Sequence, residues 1–353
     1  MSERQLTGKP KEQGAALRDG TLSTKNSNEN KKIPINLILG GIIVLLLILL
    51  PFYAGQYTIT TFKRIIYFGF LALSLRFLIG EGGMVSLTQT AFFGVTGYVV
   101  GLLGAERGMP FPWAQLIAIG AVLFLALIFG MVAVRTYKIV FLMITLAFGQ
   151  ICWAFARQNT SLLHGWSGIH NIEPFSILGI DFTVPANYYW ICLALFLIGI
   201  YVMWRLVKSP FGLALNGVRE SPRRMAALGY PVYWIRLVAF LIAAIYAGIG
   251  GILMTYANTM IAPDIIQMSI TIWILLTVIL GGVNYFWGPI VGVTVVVWLD
   301  VFISSMTDRY NSVIGIIFLL IVLFSPNGIL GFFDLVRRGE RFGFLKKILK
   351  QVG

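Results

Sequence analysis

Ten apolar runs follow one another along this chain, most of them near the roughly 20 residues that carry a helix across a bilayer. No other feature narrows the fold as far. Hydropathy places the runs at Leu37–Leu50 and at about 57–79, 85–104, 113–134, 139–157, 187–207, 237–258, 266–281, 287–306 and 312–325. Charged residues make up 12% of the chain, against roughly 25% in soluble domains. The expected fold class is all-α, a polytopic membrane helical bundle of about ten transmembrane helices. The first run is expected to close at Pro51. Lys63 and Arg64 fall inside the second, so that helix either starts later or lets both side chains snorkel.

The remaining segments set domains and orientation. Residues 1–32 are rich in Gly, Ser, Asn, Lys and Glu and read as a disordered cytoplasmic tail. They are too long and too mixed in charge for the start of a cleaved signal peptide. Residues 33–331 form one transmembrane domain, and 332–353 a basic cytoplasmic tail. The net charge of +13 does not point to nucleic acid, because the basic residues cluster in the two tails and in a 205–236 loop. That distribution suits a membrane carrying anionic lipid. Lys and Arg accumulate on the cytoplasmic side. Ten crossings then put both termini, the 135–138 turn and the 205–236 loop inside, and residues 158–186 outside. Cys152 and Cys192 lie in apolar runs and suggest neither a disulfide framework nor a metal site.

The 209–230 part of the basic loop carries more than charge. Ser221-Pro222 reads as the N-cap and first residue of a short helix, since proline has no N–H to lose there. Gly229 fits the position just past its end. Arg219, Glu220, Arg223, Arg224, Leu228 and Gly229 are the candidate contacts to a soluble partner. Topology alone would also explain the arginines.

Polar groups also recur inside the spans. Ser86, Thr88, Gln89 and Thr90 precede a helix face made of glycines 94, 97, 101 and 104. Small residues let helices approach closely in lipid. Thr145 and Gln150 stand in an otherwise apolar helix. Together these six polar residues either line a translocation path or hold helices together by hydrogen bonds. His164 and His170 in the outer loop share no ligand spacing with Cys or carboxylate. Asn159-Thr-Ser161 matches a glycosylation sequon that chance alone supplies. Asp300 lies within an apolar run, where a carboxylate needs a partner or water. No G-x-x-x-x-G-K-[ST] loop, H-E-x-x-H or G-x-S-x-G occurs, so neither ATP hydrolysis nor another enzymatic site is expected.

The motifs together resemble a known family. Ser86-Leu-x-x-x-Ala-Phe-Phe-Gly-x-x-Gly-Tyr98, Ile144-Thr-Leu-Ala-Phe-Gly149 and Gly165-Trp-Ser-Gly-Ile169 are similar to segments of inner-membrane permeases of branched-chain amino acid ABC importers. So are Ser209-Pro-Phe-Gly-x-Ala-Leu215, Arg219-Glu220, Ala226-Ala-Leu-Gly-Tyr230, Gly281-Gly-x-x-x-x-Trp-Gly-Pro289 and Pro326-x-Gly-x-Leu-Gly331. The resemblance is to the LivM-type subunit and covers about residues 57 to 331. Similar proteins often carry His where Gln89 stands, Glu where Gln150 stands, and Thr-Gly-Gly in place of Leu163-His-Gly165. These departures bear on the solute rather than the fold.

The resemblance implies the partners: a second, LivH-type permease, two cytoplasmic ATPase subunits, a periplasmic solute-binding protein and membrane lipid, with no nucleic acid. It implies no cofactor in this chain, since ATP is bound by partner subunits. It makes the 209–230 loop the segment that couples to an ATPase. The cargo is expected to be branched-chain or related amino acids. Alternatives are a same-family permease for urea, short amides or another small polar solute, and a secondary transporter. The latter usually shows intramembrane ionisable groups, and here Asp300 is the clear one.

Overall fold

The computed structural model describes residues 46–53, 55–174, 176–177, 180–307, 312–316, 318–319 and 328–331. The chain divides into two units, 1–49 and 50–353. Both expected tails, and most of the first and last apolar runs, lie outside the described residues.

Helix α1 covers residues 46–53. It runs through Pro51 rather than closing there, so the lost N–H does not end it. The other long helices fall where hydropathy puts them: α2 Gln56–Arg76, α3 Gln89–Val100, α4 Trp113–Ala133 and α5 Lys138–Gln158. A single turn, α6 Thr160–Leu163, and a two-stranded hairpin, β1 Ser176–Ile177 with β2 Ile180–Asp181, occupy the segment between 158 and 185. Then come α7 Pro185–Val207, the short pair α8 Pro210–Glu220 and α9 Pro222–Ala227, and α10 Val232–Asn258. α11 Met268–Gly281 and α12 Gly288–Ser304 follow, and residues 312–316, 318–319 and 328–331 are helical as well. Four of them, α4, α5, α7 and α10, are long and apolar enough to cross a membrane individually.

α10 is the axis of the bundle. It packs on α2, α3 and α4, while α2 also meets α7, α11 and α12. Its glycines explain the approach. A Cβ on Gly251 would stand 1.9 Å from the Phe93 carbonyl oxygen, so α3 lies against bare backbone. The predicted glycine face of α3 is filled in the same way, with Ile266 seated on Gly94 and Thr255 on Gly97. α4, α5 and α7 keep most of their apolar surface exposed: Phe124, Met143, Phe155 and Ile198 point away from the chain.

Two boundaries differ from hydropathy, each for a polar reason. The second run keeps its expected start: α2 begins at Gln56 and takes Lys63 and Arg64 inside. Arg64 pairs with Asp300 of α12 at 2.7 Å, so each charge answers the other. The third run does not begin as helix at 85. A π-helical turn, Phe77–Glu81, is followed by non-helical backbone up to Thr88. α10 starts five residues before the predicted 237 and includes Arg236. That guanidinium is buried yet satisfied. It donates to the carbonyls of Val134 at 2.5 Å and Thr136 at 2.8 Å and covers the Tyr137 ring.

Candidate functional site

The basic loop folds as two capped helices. Ser209 Oγ accepts from Gly212 N, Ser221 Oγ accepts from Arg224 N, and Pro210 and Pro222 take the first helical positions. α9 ends in a six-to-one closure: Tyr230 N donates to Met225 O and Gly229 N to Ala226 O, with Gly229 at φ +84°. α8 buries Leu215 and Val218 and leaves Leu213 exposed; on the α9 side Leu228 is 72% exposed.

The inner face of α8 rests on the break between α2 and α3. Asn216 Nδ2 donates to Glu81 Oε2 at 2.6 Å, and the Arg219 guanidinium donates to the Gly80 carbonyl. Glu81 in turn faces Arg76 Nη1 at 2.6 Å, an ionic contact outside hydrogen-bond alignment. Arg76 Nε donates to Val283 O in the turn between α11 and α12. Four segments therefore meet at one end of the bundle: the 77–88 break, α8, the 282–287 turn and, through Arg236 and Met84, the 134–136 turn. Polar contacts thus tie α8 directly or through Arg76 and Glu81 to neighbouring helix junctions.

All six residues assigned to partner contact are exposed, and Arg219 alone also reaches back into the bundle, where its guanidinium bonds the Gly80 carbonyl. The side chains of Glu220, Arg223 and Arg224 make no hydrogen bond or ion pair among the described residues. Residues that sequence reasoning missed are Arg76, Glu81 and Asn216. Their signal was an arginine and a glutamate five apart at the end of an apolar run, where ionisable groups need partners.

Five of the six path residues come together. Ser86, Thr88, Gln89, Thr90 and Thr145 are all buried. Thr145 Oγ1 accepts from Leu87 N at 3.2 Å, and Thr88 Oγ1 donates to Thr145 O at 2.9 Å. Ser86 Oγ accepts from Thr88 N, and Gln89 links Ser74 to Ser86. Thr90 meets Thr271 of α11 at 2.5 Å. Thr145 and Ser86 thereby accept from two backbone N–H groups of the broken stretch, those of Leu87 and Thr88. Irregular backbone within a bundle needs such partners. Gln150 stands apart. It lies five residues, about 140° around α5, from Thr145, and is half-exposed on a face that packs little.

At the opposite end the Gly165-Trp-Ser-Gly-Ile169 motif pairs with the segment that follows α10. Ile169 and Ile261 exchange backbone bonds at 2.9 Å in both directions. Gly168, at φ +70°, passes so close to Ile261 that a Cβ would meet its carbonyl oxygen at 2.1 Å. Arg157 stacks on Trp166 at 4.2 Å.

Comparison with known proteins fits a transport bundle. The family model for the permease component of the branched-chain amino acid transport system matches residues 57–324. The chain belongs to that family and is a multi-pass membrane protein. It is 24% identical over 307 residues to the high-affinity branched-chain amino acid transport system permease protein LivM of Escherichia coli strain K12, covering 79% of this chain and 71% of that one. It is 23% identical to the Salmonella typhimurium protein of the same name, with the same coverage. It also matches the probable branched-chain amino acid transport permease protein LivH of Methanocaldococcus jannaschii, at 25% over 52% of this chain and 54% of that one. No solved structure matches.

Proposed function

We propose that the chain is the LivM-type membrane subunit of an ATP-driven importer for branched-chain or related amino acids. It is a transport subunit without catalytic residues or cofactor; ATP is bound and hydrolysed by two cytoplasmic partners. A LivH-type permease completes the membrane part, and a soluble binding protein delivers the solute from the periplasm. The chain lies in the inner membrane with both termini cytoplasmic. The clustering of basic residues at one end supports that orientation.

The observation that carries this reading is the α8–α9 pair. Its outer surface offers Leu213, Leu228 and three free charged side chains, while its inner surface is bonded to the α2–α3 break. Apolar anchors ringed by orienting charges suit a protein partner. A chain that docks an ATPase there can pass its conformational change to the spans. Ser86, Thr88, Gln89, Thr90 and Thr145 then hold the broken helix beside the path, and Gln150 belongs to a surface completed by the second permease.

The test is reconstitution of the chain with a LivH-type permease, two ATPases and a binding protein in proteoliposomes. ATP-dependent uptake of L-leucine is expected. Uptake of urea or acetamide in preference to leucine would select the alternative cargo, and ATP-independent uptake would remove the ABC reading.

A further inference from the structure

Two cavities open at the end of the bundle that carries residues 158–186. One, of about 460 Å³, is walled by Gly104, Phe111, Gln115 and Ile172. The other, of about 390 Å³, is walled by Gln56, Thr60, Lys63, Phe182, Tyr188 and Thr259. Glu173 and Tyr256 belong to both walls. Volumes of this size suit small ligands.

The second cavity contains an unanswered charge. Lys63 is 7% exposed, and its ammonium lies 5.9 Å from the Tyr188 ring centre. The Tyr188 hydroxyl is committed to the Leu253 carbonyl at 2.9 Å, so the ring is held with its face to Lys63. Among the described residues no carboxylate stands within ion-pair distance of Lys63. The other buried cations differ. Arg76 has Glu81, and Arg236 has two backbone carbonyls. Arg64, next to Lys63, has Asp300. A buried ammonium without an anion is costly, and the space beside this one is open.

We infer that this cavity is a carboxylate-binding site, in which Lys63 receives the carboxylate of a small acid with an apolar substituent. Pro174, Phe182, Pro185 and Tyr188 supply the apolar wall. Glu173 is exposed at the rim and suits an ammonium group, which extends the class to aliphatic amino acids. That extension rests on the transport reading above; the carboxylate site does not.

The experiment is thermal unfolding of the full chain in lipid nanodiscs, with isovalerate and L-leucine set against isovaleramide and L-leucinamide. The two carboxylates at saturating concentration are expected to raise the midpoint by on the order of 2–4 °C, and the two amides to leave it unchanged. Lys63→Met is expected to lose the shift and Lys63→Arg to keep it. No shift from either carboxylate, an equal shift from the amides, or an undiminished shift in Lys63→Met overturns the site. If Lys63→Met does not accumulate, the wild-type ranking of carboxylate over amide decides alone. Leucine uptake without a carboxylate-dependent shift overturns the site and leaves the transport reading standing. A Lys63-dependent shift without uptake keeps the site and overturns that reading.

Discussion

Arg64 and Asp300 meet at 2.7 Å between α2 and α12, and each accounts for the other's presence in an apolar helix. The pair is unevenly wet, with 37% of the arginine side chain exposed against 13% of the aspartate. Asp300→Asn is expected to cost about 1–2 kcal/mol, between the values for exposed and for buried pairs. The swapped variant, Arg64→Asp with Asp300→Arg, is expected to recover most of that loss. Thermal unfolding in nanodiscs of the wild type, Arg64→Asp, Asp300→Arg and the swap measures the coupling. A swap as unstable as the sum of its single changes would mean that the two charges are independently solvated.

Arg76 and Glu81 form a more enclosed pair, with both side chains under 10% exposed. Glu81→Ala leaves Arg76 buried without its anion and Asn216 without its acceptor. The expected cost is about 3–5 kcal/mol, seen as loss of monodisperse protein on size exclusion. Arg76→Met combined with Glu81→Gln removes both charges and keeps an acceptor for Asn216. The double variant is expected to be more stable than Glu81→Ala. If it is less stable, the pair contributes net attraction beyond mutual neutralisation.

The helices were legible because a span announces itself locally. α4 and α5 fall within one residue of their hydropathy limits. Glycines 94 and 97 were readable as a contact face because their spacing is helical, though not which partners fill it. The interruption between the runs ending at 79 and starting at 85 was legible, but its extension to Thr88 was not. It exists because Thr145, some 57 residues away, supplies bonds that a helix would make internally. The candidate site was legible to the same depth. The caps at Ser221 and Gly229 are local and were readable. The bond from Arg219 to the Gly80 carbonyl depends on where Gly80 lies, which no local pattern records. Thr145 and Gln150 looked equivalent as polar groups in one helix. Only the packing of α3 against α5 separates them.

The α3–α10 contact gives a sharp steric contrast. Gly251→Ala places a Cβ 1.9 Å from the Phe93 oxygen, where neither backbone can yield. The expected cost is about 3 kcal/mol or more, at the severe end of overpacking, with little protein reaching the membrane. Gly120→Ala in α4 meets nothing within 4 Å and is expected to leave yield and melting unchanged. Equal yields of the two variants would mean that α10 does not pack on α3 this closely.

On the proposed docking of an ATPase to α8 and α9, binding and transmission separate onto different residues. Glu220 is an exposed carboxylate in a strongly basic loop, without an ion-pair partner among the described residues, and Leu228 is an exposed apolar side chain of the same loop. Glu220→Lys and Leu228→Asp act on the outer surface, so both are expected to reduce co-purification of the ATPases, and solute-stimulated hydrolysis with it. Arg219 is exposed too, but its guanidinium bonds the Gly80 carbonyl. Arg219→Ala is expected to leave co-purification near wild type while lowering stimulated hydrolysis, because it cuts a link between α8 and the α2–α3 break rather than a contact with the partner. Arg223→Ala and Arg224→Ala, each with the other arginine still present, are expected to change co-purification less than Glu220→Lys. If Arg219→Ala and Glu220→Lys lower co-purification equally, α8 presents both residues to the partner and its inner face is not the transmission route. If neither changes co-purification or hydrolysis, the loop only sets topology, and the 282–287 turn, which shares Arg76 with the break, is the next surface to test.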